Sequence, residues 1–247
     1  MLEYYLKPIT KNFFKFCTVS AESFLDFLIP QTCINCGVEI DKNLLCNSCL
    51  ESIPMLRVPF CPICGRPTKK HKPCKYCKKA MYLDRGRAWL PFIPPVDKII
   101  HYFKYRKMTK LARLLGQGMT GVIKSDFYLK KSEIIIPIPL FWWKKLRRGY
   151  NQAQLLADVI SQECGIEVHP ILKRTKNTKT QTKLTEDSRK DNVSNAFRLG
   201  ANGVKDKTVL LIDDVLTTGA TINECARVLK AAGAKKVYAC VAAITPG

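Results

Sequence analysis

Apolar residues along this chain fall into short unbroken runs separated by polar, turn-rich stretches. The stretches 133–138, 168–172, 208–212 and 237–244 have the length of strands, and 208–212 and 237–244 lack the alternation of a half-exposed strand, which predicts buried strands. A fifth apolar run, 89–95, is rich in proline and reads as an extended strand or a linker. Residues 97–115 follow a helical period instead. Ile99, Ile100, Phe103, Leu111, Leu114 and Leu115 mark the apolar side, and Lys104, Arg106, Lys107, Lys110 and Arg113 mark the other. Further helices are expected over 152–164 and about 221–232. Strands alternating with helices predict an open α/β sheet. His101 reads as a packed or surface residue, not a catalytic one.

The stretch 209–221, Val-Leu-Leu-Ile-Asp-Asp-Val-Leu-Thr-Thr-Gly-Ala-Thr, carries the clearest chemistry. A buried strand runs into two adjacent carboxylates, Asp213 and Asp214, then a loop, then a helix. Backbone N–H groups at such a helix start can hold a phosphate, and Thr217, Thr218 and Thr221 add hydroxyls. Gly219 lets the backbone turn tightly against a ligand. The carboxylates can accept hydrogen bonds from ribose hydroxyls or serve a hard metal ion. The plainer alternative is a solvated Asp-Asp turn before a Thr-capped helix.

Two polar segments flank this motif in the expected fold. The loop 140–151 carries Lys144, Lys145, Arg147, Arg148 and Gly149 between a strand and a helix, which places it at the carboxyl edge of the sheet where open α/β folds bind ligands. The segment 174–195 is long and rich in threonine and lysine. It reads either as a disordered connection or as a functional loop, the commoner role for a long loop in a compact domain.

Eight of the twelve cysteines form four C-x-x-C pairs: Cys33/Cys36, Cys46/Cys49, Cys61/Cys64 and Cys74/Cys77. Two such pairs complete one closed tetrahedral thiolate site, so the chain has ligands for two structural Zn²⁺ ions. Sequential and interleaved pairings both remain open from the spacing. A closed S₄ site has no open position, so its metal stabilises a small module instead of performing catalysis. Cys17, Cys164, Cys225 and Cys240 read as small buried apolar residues.

With 41 basic and 20 acidic side chains, the formal charge is +21. It falls to about +17 once eight thiolates hold two zinc ions. A basic chain invites polyanionic partners, nucleic acid first. Between residues 61 and 79 there are seven basic residues and no acid. Lys69, Lys70, Lys72, Lys78 and Lys79 stand with Tyr76 and His71 among them, a combination suited to single-stranded nucleic acid. Some of these cations also offset the zinc-thiolate charge. No apolar run is long enough to span a membrane, and the N-terminus lacks a secretion signal, so a cytoplasmic protein is expected.

With these pieces placed, the chain resembles the ComF family of competence-associated, phosphoribosyltransferase-like proteins. The resemblance rests on the double cysteine ribbon, the segment from Ile100-His101 to Lys104, Pro137-Ile138-Pro139-Leu140, Arg147-Arg148-Gly149-Tyr150-Asn151-Gln152 and the acid-pair loop. Arg174, Thr178, Gln181, Leu184, Arg189, Asn192 and Ala196-Phe197 extend it through the long loop. It covers the chain from about residue 25 onward.

The resemblance implies a type I phosphoribosyltransferase core, a five-stranded parallel sheet with helices on both faces, over 81–247. A double zinc ribbon over 33–80 and a leader over 1–32, expected to be helical, would precede it. Asp213 and Asp214 would hold the ribose hydroxyls of phosphoribosyl pyrophosphate (PRPP) and be the catalytic residues of an active enzyme. Val215, Leu216, Thr217, Thr218, Gly219, Ala220 and Thr221 would hold the 5′-phosphate. Leu140, Arg147 and Arg148 would face the pyrophosphate, and the loop from Arg174 would cover the site. Mg²⁺ would bridge pyrophosphate and ribose. A base-binding hood is not visible after the last strand, so the zinc module and residues 81–97 are expected to overhang the pocket. Two functions follow as expectations. One is a competence protein that binds PRPP and single-stranded DNA, working beside other competence proteins such as a DNA-translocating helicase. The other is a phosphoribosyltransferase acting on an unidentified base or nucleic-acid acceptor.

Overall fold

The computed structural model describes residues 31–40, 44–56, 59–77, 81–176, 195–201 and 203–246. Residues 1–30 of the expected leader, Lys78, Lys79 and most of the long loop after Arg174 lie outside them, while residues 31–32 of the expected leader pair as a strand with the first cysteine half-module.

The first cysteine half-module contains an antiparallel pair, β1 (Gln31–Thr32) and β2 (Glu39–Ile40), and a short helix α1 (Asn47–Glu51). The second is held by turns, by a bridge between Phe60 and Pro67, and by a 3₁₀ turn at Lys75–Cys77. The main body follows as β3 (Arg85–Pro91), α2 (Val96–Tyr105), α3 (Leu111–Ser125), β4 (Ile134–Pro137), α4 (Trp142–Arg148), α5 (Gln152–Cys164), β5 (Glu167–Val168), β6 (Leu172–Arg174), β7 (Phe197–Leu199), β8 (Thr208–Leu216), α6 (Ala220–Ala231) and β9 (Lys236–Ile244).

Five strands form one parallel sheet in the order β3-β9-β8-β4-β5. Period-two alternation sends neighbouring residues of each strand to opposite faces. Leu210, Ile212, Tyr238 and Cys240 pack with Ile99, Phe103, Leu115, Met119, Leu156 and Ile160 of α2, α3 and α5. Val209, Leu211, Val237 and Ala239 pack with Ile222, Cys225, Ala226 and Leu229 of α6. The sheet is therefore covered on both faces, which is why the middles of β4, β8 and β9 read as apolar runs. From β4 the chain crosses through α5 outward to β5, and from β8 it crosses through α6 the other way to β9. The strand order thus reverses between β4 and β8, and the crevice at their carboxyl ends is where such a sheet accepts ligands.

Three expected elements differ. The helix of 97–115 breaks into α2 and α3 around Lys107, which adopts a left-handed φ of 55°. The expected strand 168–172 is two short strands in different sheets, because Pro170 interrupts the ladder and β6 pairs antiparallel with β7. The loop 140–151 contains α4, a helix with no buried residue.

Two glycines set close approaches. A Cβ at Gly118 of α3 would fall on the Trp89 ring of β3. Gly118→Ala should destabilise the fold by about 2 kcal/mol, because the clash with a buried ring outweighs the roughly 1 kcal/mol gained in helix propensity. Urea denaturation measures this, and a gain in stability would contradict the packing. Gly65, at φ +76°, lies where a Cβ would sit 2.5 Å from the Gly86 carbonyl oxygen. With the Gly86 N–H donating to the Ile63 carbonyl at 2.5 Å, this contact docks the second cysteine half-module on β3.

Candidate functional site

A cavity of about 630 Å³ opens at the crevice between β4 and β8. Strand β8 continues through the acid pair to Leu216, so Asp213 and Asp214 are held by sheet pairing to β9 and do not sit on a free turn. Asp214 is buried, and its Oδ1 is 2.8 Å from Lys104 Nζ of α2. The Asp213 side chain accepts a hydrogen bond from the Asp214 N–H at 2.9 Å. Burial, and then the adjacent Asp214 charge, push the Asp213 carboxyl up to about 7, against the pull of Lys104 and Arg174.

Five cations line this cavity: Lys98, Lys104, Lys144, Arg148 and Arg174. Burial, followed by Arg174, Arg148 and Arg147, holds the Lys144 ammonium below its ordinary range. The segment after α4 is fixed at several points. Gly149 takes a left-handed φ of 87° to end the helix. The Tyr150 hydroxyl donates to the Phe103 carbonyl. Asn151 Nδ2 donates to the Ile138 carbonyl at 3.1 Å, and Arg148 donates to Gln152 Oε1 at 2.5 Å. Gln152 is 1% exposed, lines the cavity, and its Nε2 finds no acceptor among the described residues. A buried donor left without a partner is costly.

Beside the acid pair the loop encloses a second hollow of about 30 Å³, lined by Val215, Leu216, Thr217, Thr218, Gly219, Ala220 and Thr221 among others. This has room for one small group and not for a ring system. Gly219, at φ 85°, caps α6, and the helix's first N–H groups begin there.

The structure brings most of the expected PRPP-site residues together. Leu140, Arg148, Arg174, Asp213, Asp214, Val215, Thr217 and Thr221 line the large cavity. Leu216, Thr218, Gly219 and Ala220 line the small hollow. Arg147 is exposed and instead lines a neighbouring groove of about 420 Å³ with Lys104, Tyr105, Lys107, Trp143, Lys144 and Arg148. Phe92, Asp97 and Lys98 reach the rim of the large cavity. Sequence reading placed Lys144 at the ligand edge without assigning it to the site, and missed Gln152 as a cavity-lining residue and Lys104 as the partner of Asp214.

The cysteines gather sequentially. The sulfurs of Cys33, Cys36, Cys46 and Cys49 lie within 4.8 Å of one another, and so do those of Cys61, Cys64, Cys74 and Cys77. Four thiolates about 2.3 Å from one ion stand about 3.8 Å apart, so both groups fit a tetrahedral zinc. The observed Cys36–Cys46 and Cys64–Cys74 separations are 3.7 Å and 3.5 Å. The first group is tied to the cavity rim, since Asn35 donates to Cys49 Sγ at 3.2 Å and Lys98 Nζ donates to the Asn35 carbonyl at 2.7 Å.

Residues 24–78 match the Double zinc ribbon domain, and residues 146–246 match the Phosphoribosyl transferase domain. The chain is 35% identical to Competence protein F of Haemophilus influenzae over 83% of its own length and 93% of that protein. This chain belongs to the ComF family. It is also 33% identical to the DNA utilization protein YhgH of Escherichia coli K12, over 85% of this chain and 95% of that one. Competence protein ComFC of Bacillus subtilis is 27% identical over 75% of this chain and 77% of that protein. For a ComF protein, the fold is a type I phosphoribosyltransferase domain preceded by a double zinc ribbon with two Cys₄ groups. Among the described residues, no helix is long and apolar enough to cross a membrane.

On the zinc module, Lys69, Lys70 and Lys72 are exposed. Arg66, counted from sequence in the same basic run, is instead 1% exposed and sits 4.1 Å over the Tyr76 ring. Tyr76 therefore has one face already covered. A second surface of rings and cations appears on α4, where Trp142, Trp143 and Leu146 are exposed among Lys145, Arg147 and Arg148.

Proposed function

We propose that this chain is a competence-associated DNA-handling protein that binds PRPP with Mg²⁺ in the large cavity and single-stranded DNA on its basic surfaces. The observation that carries the first half is the convergence of Asp213, Asp214 and the small hollow with Lys104, Lys144, Arg148 and Arg174 around one cavity. In this reading the acid pair accepts hydrogen bonds from the ribose hydroxyls. The loop 215–221 holds the 5′-phosphate, and Arg148, Lys144 and Arg174 face the pyrophosphate. Mg²⁺, held near the acid pair, would neutralise pyrophosphate charge. The eight cysteines would hold two structural zinc ions, and the zinc module with Phe92, Asp97 and Lys98 would form the cavity's overhang.

The DNA half is supported by the relatives named for competence and DNA utilization, and by the two ring-and-cation surfaces. Lys69, Lys70 and Lys72 would engage phosphates, with Tyr76 beside them; the expected contributions of Lys78 and Lys79 lie outside the described residues. The α4 rings would stack on bases. Replacing Lys69, Lys70 and Lys72 with Gln should reduce the slope of log affinity against log salt by about 2 for an oligonucleotide, at roughly 0.7 per lost contact. Fluorescence anisotropy across a salt series reads this, and an unchanged slope would move the DNA to the α4 face alone.

A second reading, transfer of phosphoribose, is favoured by the Asp213 carboxyl at about 7, poised to exchange a proton at neutral pH. The bond from the anomeric carbon to pyrophosphate would break as an acceptor bonds to that carbon, and pyrophosphate would leave. Steady pyrophosphate release with one acceptor from a panel of bases and oligonucleotides would establish this reading, and release no faster than without acceptor would exclude it for that panel.

A further inference from the structure

Arg66 is the largest fully buried side chain among the described residues, and its position is not explained by a surface role. Its guanidinium joins three parts of the molecule. Nε donates to the Thr245 carbonyl at 2.8 Å, at the end of β9. Nη2 donates to the Thr217 carbonyl, in the loop that follows the acid pair. Nη1 lies 3.7 Å from Cys74 Sγ and 3.9 Å from Cys64 Sγ. The Thr245 N–H in turn donates to the Leu216 carbonyl at 3.0 Å, so both Arg66 contacts outside the module bear on the same loop.

A buried guanidinium needs a counter-charge. Among the described residues, no carboxylate forms an ion pair with Arg66. The nearest source of negative charge is the second cysteine group, which carries a net charge of about −2 when four thiolates hold one Zn²⁺. The same fork also sets the loop. A trans peptide is planar, with its N–H antiparallel to the preceding carbonyl. Holding the Thr217 carbonyl toward Arg66 therefore turns the Thr218 N–H away from Arg66. Without metal the cysteines need not stay together, and Arg66 would lose both its counter-charge and its fixed direction.

We infer that Arg66 is a positioning residue that couples the second cysteine group to the phosphate-holding loop, so that zinc at Cys61, Cys64, Cys74 and Cys77 and PRPP at the cavity each tighten the other's binding. The inference rests on the PRPP reading above. Coupling between two sites is reciprocal in binding free energy, so it is visible from either ligand. The first cysteine group packs into the main core through Cys33 and Cys49 and meets the cavity rim through exposed Lys98, but Arg66 and its hydrogen bond to the Thr217 carbonyl belong to the second group. The coupling carried by Arg66 is therefore expected at the second ion.

The test uses the full-length, zinc-loaded protein. A zinc-selective chelator is titrated to equilibrium with and without saturating PRPP and Mg²⁺, and PRPP binding is measured separately by calorimetry. The expected result is that PRPP raises the chelator concentration needed to withdraw one ion by about fivefold or more and leaves the other unchanged. Arg66→Lys keeps the charge but lacks the fork, and it should abolish that difference while both ions remain bound at the start. If PRPP binds and both ions respond alike or not at all, the coupling is wrong and the PRPP reading stands. If PRPP does not bind, both are overturned. A role for Arg66 in general stability alone would shift both ions together, and the wild-type titration detects that without the variant.

Discussion

Asp213→Asn combined with Asp214→Asn should weaken PRPP binding by at least about 100-fold, with zinc content unchanged. Two effects compete. PRPP is anionic, so removing carboxylate charge lowers repulsion. Against that, in the proposed reading the pair would supply acceptors for the ribose hydroxyls, and hydrogen bonds to charged groups contribute about 1.5–3 kcal/mol each. In the proposed PRPP complex, directional bonds and Mg²⁺ near the pair would outweigh diffuse repulsion in a cavity already lined by five cations. The pH dependence has a definite sign. Burial and the Asp214 charge raise Asp213 to about 7, so it is protonated below that pH and a full acceptor above it. Affinity should rise as pH climbs through 7. The ligand's own phosphate also titrates, near 6. Asp213→Asn alone should remove the step near 7 and leave the lower one. Binding by the double variant that equals or exceeds wild type would remove the acid pair from the site.

The second large effect is loss of the second cysteine group. Cys61→Ser with Cys64→Ser should lower the zinc content from two ions per chain to one and unfold residues 59–77, leaving the α/β core folded. The reason lies in the packing. The buried centre of this half-module is Cys61, Cys64 and Cys77 themselves, so the metal replaces a hydrophobic core. The first half-module is different, since Cys33, Leu45, Cys49 and Ile53 belong to the main core. Metal analysis with limited proteolysis separates the two cases. Cleavage should concentrate between 59 and 77, and retention of both ions would contradict the ligand assignment.

Much of this architecture was legible because parallel strands covered on both faces are largely apolar. The expected strands 133–138, 208–212 and 237–244 correspond to β4, β8 and β9. The acid pair and its loop were legible because strand, carboxylates, glycine and helix follow one another in sequence. What was missed depends on distant contacts. Helix α4 presents Trp142, Trp143 and Leu146 to solvent, so its apolar residues mark no buried stripe. Lys107 breaks the 97–115 helix through a backbone conformation that its side chain does not announce. Arg66 looked like one cation among seven, and only the docking of the module on β3 at Gly65 and Gly86 carries it inside. Gln152 opens a helix in the sequence, and its significance comes from burial against the cavity.

The central claim is that the crevice between β4 and β8 is a PRPP site. Isothermal titration of the zinc-loaded, full-length protein with PRPP tests it most directly, with and without Mg²⁺. One PRPP per chain, bound more tightly with Mg²⁺ and competed by pyrophosphate, is the predicted result. No measurable heat at any PRPP concentration up to about 100 times a micromolar dissociation constant would contradict it, since such a ligand would then be more than 99% bound.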